Sequence, residues 1–105
     1  MARTYLSNAF SLQMLDTTSH HSVDVGPVSV DEVSKADFVS AVGHADTAVV
    51  VSGLLGREVE CQRISVRLEQ GDTLYVAQVT GGRLPEGCTE LPSGMSLTFL
   101  KVALG

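Results

Sequence analysis

Tryptophan is absent from the 105-residue chain, and aromatic residues make up only 5% of it. With so few large rings, Val, Leu and Ala must fill whatever core forms, at the density normal for protein interiors. Cysteine is scarce too: Cys61 and Cys88 are the only two. Their spacing fits neither a zinc site nor a disulfide framework, so reduced thiols in a cytoplasmic protein are expected, with no bound metal or cofactor. Basic residues are in deficit. Seven Lys and Arg stand against twelve Asp and Glu, a formal net charge of −5. Broad affinity for DNA or RNA needs the opposite balance, because neutralising phosphates supplies most of it. A local pocket for one small anion stays open, since net charge does not set local potential. No apolar run approaches the roughly 20 residues that span a bilayer, and the opening MARTYLSN carries no apolar signal segment. Neither a membrane partner nor export is expected.

What is present points to a folded domain. Apolar residues make up 44% of the chain and mean hydropathy is +0.20, which argues against disorder. Residues 1–105 read as one domain, with no repeat and no linker. YLSNAFSLQML (residues 5–15) starts as a strand. Asn8 and Ser11 then interrupt it, either capping a following turn or holding a ligand. Residues 16–22, DTTSHHS, read as a loop or lid. Val23 to Val28 form a short strand that Gly26-Pro27 should break. Ser34 precedes Asp37 by three residues, a capping pattern that predicts a short helix over residues 35–42, stopped by Gly43. A second helix is expected from about His44 to Gly56, with Ala48, Val51 and Leu55 on one face and Leu54 adjacent. Ile64, Val66 and Leu68 alternate with Arg63, Ser65, Arg67 and Glu69. This period of two predicts a hairpin that turns at residues 69–73 and returns along Leu74–Val79. Ser96–Ala103 reads as a last strand. The interleaving predicts an α/β or α+β fold with a mixed sheet of about five strands flanked by helices.

His44 stands in GHADTA, after Gly43, at the expected start of a helix. A helix N-terminus presents unpaired N–H groups and a partial positive charge. An anion is favoured there, and an imidazole beside it can act as general acid. The plainer alternative is a surface or capping histidine. Arg83 in GGRLPEG follows a strand end between glycines, and its guanidinium can grip a phosphate with two N–H bonds. Glu86 can orient that guanidinium or a ribose hydroxyl. The alternative is a solvated loop with an exposed ion pair, worth only about 0–1 kcal/mol. Gln78 interrupts an apolar strand, as a satisfied amide at the sheet rim or as a reader of a base edge. His20 and His21 are adjacent and read as loop residues. There is no phosphate loop followed by Lys and no nucleophile elbow.

In that order, YLSNAFSLQML, VGHADTA, LYVAQV and RLPEG resemble the small viral anti-CRISPR ring nucleases of type III systems. Related proteins occur in archaeal viruses, bacteriophages and bacteria. The resemblance covers nearly the whole chain. It implies a twofold homodimer that binds cyclic tetra-adenylate and cuts it into linear di-adenylates without a metal. A ribose 2′-hydroxyl would attack the adjacent phosphate in line, and a histidine would protonate the departing 5′-oxygen. The histidine would be His44. Arg83 would hold the scissile phosphate with Glu86 beside it, and Asn8, Ser11 and Gln78 would contact the ligand. With a net charge of −5, the basic groups would have to gather in the dimer cleft. Two other readings stay open: a module that sequesters a cyclic nucleotide without cutting it, and an interaction protein that keeps the fold for another partner.

Overall fold

A computed structural model describes residues 2–104. The chain runs β1 (Thr4–Ser7), a single 3-10 turn (Leu12–Met14), β2 (Val23–Pro27), α1 (Val30–Lys35), β3 (Val39–Ala41), α2 (Ala45–Leu55), β4 (Thr73–Thr80) and β5 (Ser96–Leu104). The strands form one mixed sheet in the order β2-β5-β4-β1-β3. β1 is parallel to both β3 and β4, and β5 is antiparallel to β4 and β2. This is the small α+β domain with a five-stranded mixed sheet and helices that the interleaving predicted.

The sheet is buried on both faces, which explains why LYVA in β4 is apolar without alternation. Leu6, Tyr75, Ala77 and Phe99 face a core completed by Val33 of α1 and by Ala48, Val51 and Leu55 of α2. Tyr5, Leu74, Val76, Val102 and Leu104 face the other way, against Leu15, Val66 and Leu68. One face is thus covered by helices and the other by extended chain. On the helical face, the buried Tyr75 hydroxyl donates to Glu32 (2.9 Å), which also pairs with Lys101 (3.1 Å). Lys101, then Tyr75, holds the Glu32 carboxyl below the usual carboxylate range. Burial, then Glu32, pushes the Tyr75 phenol up.

α2 forms where expected. Gly56 ends it in the left-handed region at φ 68°, its N–H donating to the Ser52 carbonyl. That conformation costs glycine least. The three consecutive valines do not prevent the helix, because Val50 and Val51 are buried and packing outweighs propensity. Ala48, Val51 and Leu55 share the buried face as expected, and the adjacent Leu54 is 44% exposed.

Four other expectations are corrected. The first helix lies five residues upstream of the Ser34 pattern. Ser29 caps α1, accepting the Glu32 N–H at 3.1 Å. Ser34 sits inside α1, its hydroxyl donating to the Leu55 carbonyl of α2. Residues 39–41 are a strand, because β1 offers them a parallel edge, Tyr5 opposite Val39 and Ser7 opposite Ala41. β2 runs through Gly26 to Pro27 unbroken, since it is an edge strand and Pro27 closes it. The hairpin does not form as expected either. Both edges of β4 are taken, by β1 and β5, so residues 63–69 cannot pair with it as a hairpin. Their alternation survives as burial instead. Val66 and Leu68 insert into the core while Ile64 stays 42% exposed, and the Leu68 N–H donates to the Met14 carbonyl. The sheet still has five strands, because β3 takes the place assigned to residues 64–68.

Candidate functional site

Because β1, β3 and β4 are parallel, their carboxyl ends emerge at one edge of the sheet. In open sheets that edge is where ligands bind. Asn8 follows β1, Gly43 and His44 follow β3, and Gly82 and Arg83 follow β4. Residues far apart in sequence therefore converge. Asn8, His44, Asp46, Thr47, Gln78 and Arg83 line one cleft of about 470 Å³. A second, shallower cleft of about 490 Å³ adjoins it, lined by Asn8, Gly43, His44, Arg63 and Ser65 among others. Asn8 and His44 border both.

The corner between β3 and α2 is held from two sides. The Asn8 side-chain oxygen accepts the Gly43 N–H at 3.2 Å. The Gly43 carbonyl accepts from Arg63 Nε at 3.0 Å, which fixes an otherwise exposed guanidinium beside the second cleft. His44 is the residue that caps α2. Its backbone is extended (φ −121°), its carbonyl accepts the Ala48 N–H, and its ring makes no capping hydrogen bond. The exposed imidazole is thus placed by the backbone and kept available for a ligand. The amino end of α2 adds its partial positive charge at the same spot. With Arg63 on one side and Arg83 on the other, cationic character collects here in a chain that is acidic overall.

Of the six residues singled out in the sequence, Asn8, His44, Gln78 and Arg83 share the first cleft. Gln78 is exposed where β4 passes beyond its covering layers. Ser11 and Glu86 line neither cleft. Ser11 caps the 3-10 turn, its hydroxyl accepting the Gln13 N–H at 3.2 Å. Glu86 is exposed on the loop between β4 and β5. Residues 16–22 form a loop, as expected, with the Asp16 carboxylate accepting from the N–H and hydroxyl of Thr18. Sequence reasoning missed Asp46, Thr47 and Arg63. Thr47 and Asp46 read only as a helix start, and Arg63 only as the wet side of a strand. Nothing in local periodicity shows that Arg63 returns to Gly43.

Chemically, the arrangement offers an imidazole, two guanidinium groups, one carboxylate (Asp46), a helix N-terminus and two carboxamides around two adjoining clefts. That set suits an anionic ligand bearing groups with hydrogen-bonding edges. Fold and cleft together define a small α+β domain with an anion-compatible site at the carboxyl edge of its parallel strands. The chain belongs to the STIV B116-like family, whose model matches residues 4–96. Among solved structures it is similar to B116 of Sulfolobus turreted icosahedral virus. The TM-score is 0.76 at 20% identity, over 97% of this chain and 99% of the viral one. Identity that low speaks to the fold alone. Comparison with curated proteins returned no match. Among the described residues, no helix is long and apolar enough to cross a membrane.

Proposed function

We propose that this protein is a metal-independent ring nuclease that cleaves cyclic tetra-adenylate to linear di-adenylates, and so shuts off type III CRISPR signalling. The observation that carries this reading is the meeting of His44, at the tip of α2, with Arg83 in one cleft. Membership in the STIV B116-like family is consistent with it.

In the proposed reaction the 2′-hydroxyl of one adenosine attacks its neighbouring phosphorus. A 2′-oxygen–phosphorus bond forms and the bond from phosphorus to the next 5′-oxygen breaks. The 2′-hydroxyl proton passes to solvent, and protonated His44 delivers a proton to the departing 5′-oxygen. The immediate product ends in a 2′,3′-cyclic phosphate. Arg83 neutralises charge on the phosphate oxygens, with two-pronged N–H contacts. Asn8 and Gln78 meet adenine or ribose edges. Two copies related by a twofold axis present the same cleft to both halves of a symmetric ring, so two cuts release two dinucleotides. Acid catalysis of this kind contributes about 10²–10⁴-fold.

The test is direct. Excess protein, incubated with cyclic tetra-adenylate in EDTA, should convert the ring to di-adenylates. An intact ring would end the nuclease reading. Tight binding without conversion would favour sequestration, and the absence of any thermal shift with cyclic oligoadenylates would favour an interaction protein.

A further inference from the structure

The connection between β4 and β5, residues 81–95, carries Arg83 and is long for a hairpin loop. Its base is narrow. The hydroxyls of Thr80 and Ser96 are 2.9 Å apart. A Cβ on Gly81 would lie 2.8 Å from the Gly94 carbonyl oxygen, and Gly81 has a φ of 96°. Gly82 follows at φ 128°, and Gly82, Arg83 and Leu84 line the cleft. Beyond the base, the Cys88 N–H donates to the Pro85 carbonyl and the Met95 N–H to the Pro92 carbonyl, both within the loop. Among the described residues, one hydrogen bond ties this loop to the helical layer: the Gly87 N–H donates to Asp46 Oδ1 at 3.2 Å.

Asp46 is two residues beyond His44, in the first turn of α2, and lines the same cleft as Arg83. Its side chain turns outward to the loop rather than capping its own helix. The helix N-terminus favours the carboxylate there. Among the described residues the one ion pair is Lys101 with Glu32, so Asp46 does not tie up the Arg83 guanidinium.

We infer that Asp46 is a positioning residue: its carboxylate pins the loop at Gly87 and so keeps Arg83 in the cleft it shares with His44. This rests on the reading of the cleft as a phosphodiester site. The pin acts on the ligand-free protein, and its effect on the reaction is to keep Arg83 where a phosphate will arrive. It therefore governs capture of the ring more than the proton transfer.

Hydrogen exchange on ligand-free protein tests the pin without any substrate. In Asp46→Ala, amide exchange at Gly87 and Cys88 should speed up by about tenfold, the change one hydrogen bond to a charged group supports. Asp46→Asn keeps an oxygen acceptor and should restore the slow exchange. With the cyclic ring, Asp46→Ala should raise KM by about tenfold and change kcat less, and Asp46→Asn should return KM toward the parent value. Unchanged exchange in Asp46→Ala overturns the inference. So does an Asp46→Asn protein with slow exchange whose KM rises as much as that of Asp46→Ala, since charge and not position would then matter. If the parent protein leaves the ring intact while Asp46→Ala loosens the loop, the nuclease reading falls and the pin stands.

Discussion

At its amino end β4 starts from Asp72, and at its carboxyl end it leads to the loop that Asp46 holds. The two carboxylates are used differently. Asp72 is 2% exposed and accepts two backbone N–H groups, from Arg3 at 2.8 Å and Glu69 at 2.9 Å. Its own N–H donates to the Glu69 carbonyl, and its carbonyl accepts from the Leu104 N–H. The Asp72 side chain thus joins the segment before β1 to the turn into β4, and its backbone carbonyl ties that turn to the end of β5. At the other end a half-buried carboxylate makes one bond to an exposed loop. The amino end of β4 is held by four hydrogen bonds at Asp72, whereas one bond ties the loop beyond its carboxyl end to the helical layer. Sites that must admit a ligand are drawn from the less stable parts of a fold, and this molecule divides its sheet accordingly.

The sharpest way to separate the two ends is to damage each and measure both properties. His44→Ala at the carboxyl edge should lower kcat for ring cleavage by about 10²–10⁴-fold while the melting temperature stays within a few degrees. Binding measured by titration calorimetry should persist. Loss of binding with no separate loss of kcat would remove His44 from the acid role. Asp72→Ala at the amino edge should do the reverse. Losing both part-buried hydrogen bonds, from the Arg3 and Glu69 N–H groups, should cost roughly 2–4 kcal/mol. That corresponds to a melting temperature lower by roughly 10–20 °C, read by calorimetry. If Asp72→Ala melted like the parent protein, the contrast between the edges would fail.

The smallest expected effect lies between the two edges, on the helical face. Lys101 and Tyr75 stabilise ionised Glu32, so its carboxyl titrates lower in the folded protein than in the unfolded chain. That contribution is present above the unfolded glutamate pKa of about 4.3 and is lost as pH falls through the lower folded value. Asp16, held low by Thr18, behaves the same way on its exposed loop. Urea midpoints measured from pH 6 to pH 3 should fall, and Glu32→Gln should flatten part of that slope. An unchanged slope would show that the pair contributes nothing, as many exposed pairs do.

How far the sequence can be read follows from how local each signal is. α2 was legible because its start, its apolar face and its Gly56 stop all lie within one stretch. β1, β4 and β5 were legible for the same reason. β3 was not, since three residues carry no periodicity and become a strand only when β1 lies alongside. Residues 63–69 mislead in the opposite sense. They alternate like a strand, yet the alternation records burial against Leu15, Leu74 and Val76, and both edges of β4, the expected hairpin partner, are taken by β1 and β5. The candidate site divides likewise. Residue type and motif order pick out His44, Arg83, Asn8 and Gln78. Arg63 and Asp46 gain meaning only from partners far along the chain, Gly43 and Gly87.

By itself, the amino-acid order determined which segments are apolar, where α2 begins and stops, and an acidic total charge that disfavours broad affinity for long nucleic acids. Those properties depend on neighbours a few residues away and on total charge. The tertiary structure decided which strand pairs with which, and it brought the ends of β1, β3 and β4 to one edge with His44 and Arg83 across a shared cleft. Such pairings are set by competition for a limited number of sheet edges, and that competition is settled only when the whole chain is packed.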